Sequence, residues 1–400
     1  MAVAGLRGTG DWGTDERPKN FREMILWRSP NGTAPLTALL GKMKSEKTDD
    51  PEFNWWEEEL NNFRFQINFT TGFSTTDTSI TVFASGDAQN LVPGDLLLVE
   101  SAITSAYANE IVMVSSVTST SVFDIKRAQA GTAAAPLANA TYLTRVGNVY
   151  EEGSSSPNAS TRNPVKLYNY CQIFKTSYRI TETAKNTKTR TGDALKNDKK
   201  RKMFDHSTAM EMAFIFGKRF EVAGPNGKPL RTTGGILQML SIYAPSRIIA
   251  FTTTPTESTF LDATYPMFDY DTEAGNERIA FCGNGFLNSL NKLAKNSTST
   301  RINFNGYIEV YGMKLSRWIL PQGEIFLRTH PLFNTHGRFT NDAFIFDPSV
   351  LRFRYMRDTK MQDNIQANDA DEQKGQWLTE AGLELEHAKT CTWISNFVVP

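Results

Sequence analysis

Between Asn169 and Phe220 an alternating segment runs directly into a lysine-rich helical pattern, and this pairing constrains the fold more than any other stretch of the chain. Tyr170, Gln172, Phe174, Thr176, Tyr178 and Ile180 occupy alternate positions, the period of a half-buried strand. Asp193 then stands as the N-cap of a helix expected over 193–220. Along it Leu195, Met203, Met210, Phe214 and Gly217 recur at multiples of three, four and seven residues. At 1.5 Å per residue that helix is roughly 40 Å long. It carries no catalytic set, so it reads as a strut whose Met203, Met210 and Phe214 stripe packs on the flanking sheet.

Four hundred residues exceed what one hydrophobic core serves, so two or three packing units are expected. The 43 basic and 43 acidic residues cancel, leaving no global field to gather nucleic acid or an anionic membrane. Cys171, Cys282 and Cys391 are too few and too dispersed for a disulfide framework or a metal site, which fits a reducing compartment. The amino terminus lacks the apolar core of a signal peptide, and no run approaches the ~18 apolar residues of a membrane span.

Residues 1–50 read as an extended arm, poor in core residues apart from Ala34–Leu40. Phe53-Asn-Trp-Trp-Glu-Glu-Glu-Leu60 follows, where Trp55 and Trp56 beside a mobile arm need a surface to bury against, with a neighbouring subunit one candidate. Strand signals at 79–83, 95–99, 110–114, 121–125 and 141–145 predict a small five-stranded barrel or sandwich within about 70–147. Residues 148–168 are turn-prone and read as its return linker. Past the long helix, helices are expected over 235–241 and 284–295 and strands over 278–282, 307–311 and 313–319, with 252–273 an exposed loop. Alternation returns at 343–346, 350–355, 377–385 and 392–398.

The chemical motifs are weak. Gly8-Thr-Gly-Asp-Trp-Gly13 matches a dinucleotide fingerprint in letters but has no strand before it or helix after it. His330 and His336 are separated by Pro331 and lack further ligands at zinc spacing. His206 has no nucleophile on its own helical face. Glu57, Glu58 and Glu59 diverge as neighbours in sequence, unlike the facing acids of a glycosidase, and Asp87, Asp95 and Asp124 do not compose a calcium loop. The run 185–202 carries eight basic residues, including Lys199, Lys200 and Arg201. No aromatics interleave them, so ion pairing between subunits is favoured first, a merely solvated face second and nucleic acid last.

The order of parts resembles the major capsid proteins of tailed bacteriophages, the Hong-Kong-ninety-seven-type fold, in the branch whose extended loop carries a β insert. The residues bearing the resemblance are Asn31-Gly-Thr-Ala-Pro-Leu36, Phe53–Leu60, Asp95-Leu-Leu-Leu-Val99, Arg127-Ala-Gln-Ala-Gly-Thr132, Glu151-Glu-Gly153 and Asn169-Tyr-Cys-Gln-Ile-Phe174. The resemblance implies an α+β fold with an amino-terminal arm (1–65), an extended loop with its insert (66–168), a peripheral domain (169–228 with 321–400) holding the spine helix, and an axial domain (229–320). It implies a non-enzymatic shell subunit without cofactor or metal that forms hexamers and pentamers of an icosahedral head around double-stranded DNA. Assembly is expected in the host bacterial cytoplasm, with a portal, a separate scaffolding protein and a decoration protein as further partners. Trp55, Trp56, Glu57, Glu58, Lys199, Lys200 and Arg201 are the expected interface residues. A phage tail or baseplate adhesin with a carbohydrate-binding insert is the alternative, and a hydrolase built on the acidic stretch 262–273 a more distant one.

Overall fold

The strand–helix pair at the centre of the sequence is present and organises the larger part of the molecule. The computed structural model describes residues 45–58, 63–100, 109–157, 163–189, 192–270, 272, 275–296, 308–310, 313–335 and 337–400. The fold is α+β and divides into two units, one comprising the chain up to Trp55 with Leu167–Pro400, the other Trp56–Lys166.

In the larger unit Gln172–Thr181 is the edge of a four-stranded sheet, antiparallel to Glu372–Leu385, which pairs with Leu351–Gln362. Ser45–Lys47 completes it in parallel with Phe353–Tyr355. The long helix, Ala194–Phe216, lies on this sheet, and the Asp193 side chain caps it by accepting from the Lys196 amide. It stops four residues before the expected Phe220. Gly217, the last of the recurring positions, is its C-cap. At 1.5 Å per residue the 23 residues make a helix of about 35 Å.

The expected apolar stripe is also corrected. Met203 is 50% exposed, and the buried positions are His206, Met210, Glu211, Phe214 and Ile215. The middle of the helix is held by polar contacts. His206 Nε2 lies 2.8 Å from Thr379 Oγ1 and its Nδ1 3.1 Å from Thr176 Oγ1, and Thr379 meets Thr359 Oγ1 at 2.8 Å. One imidazole thereby ties the helix to two strands directly and to a third through a hydroxyl.

The seven-stranded sheet runs in the order Ile248–Ala250, Thr392–Ser395, Ala343–Phe346, Glu277–Cys282, Glu324–Thr329, Met313–Ile319, Ile308–Val310. It takes strands from both sides of residue 320. Its central strands are buried on both faces, which is why Ala343-Phe-Ile-Phe346 is continuously apolar. Ile279, Phe281, Phe344, Phe346 and Trp393 face a core shared with Phe214, Ile236, Leu240, Phe353 and Leu383. Ala280, Cys282, Ile345 and Ile394 face the other way, onto Phe260, Phe286, Leu290 and Phe397. Phe260 belongs to a helix, Glu257–Thr264, in the stretch expected to be an exposed loop, and Met267 beyond it is also buried. The Thr256–Thr259 capping box starts that helix within a Thr-rich run that has little periodicity to betray it.

In the smaller unit the five expected strands are joined by Arg64–Gln66 in a six-stranded sheet. The edges meet through Asn68 N–H to Thr81 O and Phe83 N–H to Gln66 O, both 2.8 Å, closing it around Phe65, Ile80, Leu97, Val112, Phe123 and Leu143. Glu110 is buried in an ion pair with Arg127 at 2.6 Å. Burial pushes its carboxyl up, but the guanidinium and the Ala128 and Ala135 amides more than offset this, and it titrates below its ordinary value.

Phe214→Asp places an unpaired carboxylate in a fully buried position, costing several kcal/mol, on the scale of a whole domain's stability. Loss of soluble subunit is expected, whereas Lys196→Ala on the exposed side of the helix leaves the melting temperature unchanged. A second expectation concerns pH. Burial depresses the His206 pKa below the ordinary 6.5, so the unfolded chain takes up this proton first. The stability held in the neutral imidazole is complete above 6.5 and declines as pH falls toward the depressed folded value. His206→Gln should flatten the slope of unfolding free energy against pH in that window, measured by urea titration; an unchanged slope would show that this imidazole contributes none of it.

Candidate interaction surfaces

The strand Glu52–Glu57 sends alternate side chains to opposite faces, so the tandem tryptophans part company. Trp55 is buried with Phe53, Leu167 and Cys171, while Trp56 is 63% exposed. The Phe53 ring also occupies the space over Gly382, where an added Cβ would lie 2.7 Å from its Cε1. Glu57 is half-buried and Glu58 exposed; Glu59 lies outside the described residues.

Among the described residues of the basic run, Lys185, Lys199, Arg201 and Lys202 pair with acids of their own chain. Lys199 Nζ lies 3.0 Å from Asp363 Oδ1 and 5.3 Å from the centre of the Tyr178 ring, and Tyr178 Oη donates to the same carboxylate. Lys202 pairs with Asp205 at 3.3 Å and Arg201 reaches Asp198 at 3.9 Å, each one helical turn apart. Arg179, which pairs with Glu372, lines an open cleft of mixed charge between helix and strand together with Tyr178, Asp198, Arg201, Lys202 and Asp205. Asp363 is 164 residues from Lys199, and no local pattern announces their pairing. Trp55 and Lys199 therefore serve separate clusters.

The residues weighed for chemistry sit in structural roles. His330 is fully buried, its Nε2 2.7 Å from Glu211 Oε1, with the Phe281 and Phe333 rings around it. That pair links the long helix to the seven-stranded sheet and was not legible from spacing. His336 and Gly8–Gly13 lie outside the described residues. Asp95 pairs with Arg145 at 2.7 Å, and hydroxyls led by Ser116 and Thr118 hold the Asp124 pKa below its ordinary value. All three thiols are free and buried. Burial raises Cys171 and Cys391 to about 12 and Cys282 higher still, far from a nucleophilic thiolate near neutral pH. Within 252–273, Asp269 approaches Arg247 at 3.8 Å. Among the described residues no group of three His, Cys, Asp or Glu could hold a metal ion, and no helix is long and apolar enough to cross a membrane.

The free subunit should distinguish the two tryptophans. Trp55→Ala removes a buried aromatic and is expected to cost about 3–5 kcal/mol of unfolding free energy, whereas Trp56→Ala should lie within about 0.5 kcal/mol of the parent. Equal losses in chemical denaturation would contradict the opposed faces.

A family model described as SU10 major capsid protein matches residues 5–397. A major capsid protein of Pseudomonas phage PaMx41 is 27% identical over 406 aligned residues, covering 94% of this chain and 92% of that one. Among solved structures, the capsid of a native GTA particle aligns with 99% of this chain and 100% of its own at 9% identity and a TM-score of 0.46. The structure from Mycobacterium phage Bobi aligns with 95% of each chain at 8% identity and a TM-score of 0.44.

Proposed function

The chain belongs to the SU10 major capsid protein family, and from that premise we propose that it self-assembles as hexamers and pentamers into an icosahedral phage head enclosing double-stranded DNA. At the coarser level it is a bacteriophage major capsid protein, a structural component of the virion shell. The observation that carries the reading is the extent of the family match, from residue 5 to residue 397. The tail-adhesin alternative has no support in it.

In this reading residues 1–65 form the arm, 66–168 the extended loop with its barrel, 169–228 and 321–400 the peripheral domain, and 229–320 the axial domain. Trp56, Glu57, Glu58, Lys199, Lys200 and Arg201 contribute to contacts between subunits, while Trp55 anchors the strand that presents Trp56. The balance of 43 basic and 43 acidic residues favours weak, non-specific contact with packaged DNA. A portal, a separate scaffolding protein and a decoration protein complete the head, which assembles in the host cytoplasm.

The test is to express the full chain, alone and with the other head proteins of a phage encoding it, and follow it by sedimentation and electron microscopy. Closed particles of uniform size with five- and six-fold capsomers are expected. A chain that stays monomeric in every combination, or that forms trimeric fibres, would overturn the proposal.

A further inference from the structure

The hairpin that follows the long helix has the side-chain pattern of a half-buried sheet and the surroundings of an exposed one. Its strands, Phe220–Ala223 and Pro229–Thr232, form a sheet of two. Val222 stands opposite Leu230, with Phe220 two residues along on the same face. Glu221 stands opposite Arg231 on the other face, paired at 2.8 Å. Phe220, Val222 and Leu230 are nevertheless 58%, 44% and 48% exposed.

The base of this hairpin is held tightly. Gly235 donates its N–H to Gly217 O at 2.8 Å, and a Cβ on Gly235 would lie 2.7 Å from Gly217 N and 2.8 Å from the Ile215 carbonyl oxygen, so the approach requires glycine at 235, while a Cβ on Gly217 would press on the Ala213 and Thr233 carbonyl oxygens. The Asn169 side chain, fully buried, bonds Gly234 through both its atoms at 2.7 and 3.0 Å. The Arg219 amide donates to Gln238, its guanidinium stacks 3.7 Å over the Tyr168 ring, and the Thr233 amide donates to Gln172. Two strands alone are marginal in water. Here a stiff mount carries an apolar face outward.

We propose that the Phe220, Val222 and Leu230 face is a contact surface for a second copy of this chain within the shell. The proposal rests on the shell reading above and names one of its contacts. The three side chains offer about 250 Å² of apolar surface, roughly a third of the ~800 Å² per partner that a stable complex buries. The hairpin therefore cannot join two free subunits. It gains value only as one contact among several made at once, the condition met by identical copies repeated around a closed assembly. A ring of copies requires head-to-tail contacts, so the face meets a different surface of its neighbour.

The test uses the full chain with p-benzoylphenylalanine in place of Val222, irradiated as purified particles and as free subunits, with the products mapped by mass spectrometry. Particles should yield covalent multimers joining position 222 to a peptide of this chain outside 220–232, and free subunits should yield none. Cross-links confined to one chain, cross-links to a different protein, or none in intact particles would each overturn the proposal. Val222→Lys combined with Leu230→Lys should leave the free subunit's melting temperature unchanged and raise the concentration needed for assembly at least about tenfold. Assembly at the parent's concentration would count against the surface even if the cross-link were seen. If the unsubstituted parent forms no particles under any condition, the shell reading itself falls and this contact falls with it.

Discussion

The last turns of the long helix are where two sheets become one core. Phe214 meets Phe174 and Phe353 of the four-stranded sheet edge-on at 6.1 and 6.0 Å. Two residues later Phe216 stacks on Phe339 at 4.4 Å and meets Trp393 of the seven-stranded sheet at 5.8 Å. Burying aromatics of this size contributes several kcal/mol, and their preferred edge-on geometry adds about 1 kcal/mol per pair. Ile236, Met239 and Leu240 of the helix at Ile236–Tyr243 bury into the same core, between strands of both sheets.

Alongside the apolar wedge, the unit buries several ionisable groups, and these act more on geometry than on net stability. Arg278, wholly buried, lies 3.5 Å from Asp347 and donates to the carbonyls of Gly275, Glu277 and Met267. Glu211 and His330 span the helix and the second sheet. Taking both members of such pairs out of water costs nearly as much as their attraction returns. Their directional bonds do discriminate one helix register from another, because a shift by one residue would strand a charge. In the four-stranded sheet, Arg354 bonds both Glu384 and Glu46, which fastens the short Ser45–Lys47 strand to its edge. Burial pushes the Glu384 carboxyl upward against the opposing pull of Arg354.

The interaction surfaces were only partly legible in the sequence. Alternation within a strand separates Trp55 from Trp56, so one buried and one exposed indole was available from period two, although which faced inward depended on Phe53, Leu167 and Cys171. The basic run was visible as charge, but Asp363 lies in a turn between strands far along the chain. The alternation of the post-helix hairpin, only four residues per strand, falls below what pattern can separate from chance.

Local physics carries the rest. The helix start at Asp193, the alternation of Gln172–Thr181, the barrel strands and the order of parts that points to the family are all set by contacts within a few residues: a capping carboxylate, a period of two, a glycine in a turn. Sequence alone therefore determined the central strand–helix pair, the barrel strands and the family they point to, but neither the helix at Glu257–Thr264 nor the hairpin after the long helix. Tertiary structure decided the remainder. It ended the helix at Gly217, where the backbone is pressed against Gly235. It left Met203 in solvent and buried His206 and Glu211, and it placed 343–346 between 392–395 and 277–282 in one sheet. Each of these depends on what a residue meets from a distant part of the chain, and no local period or cap encodes that partner.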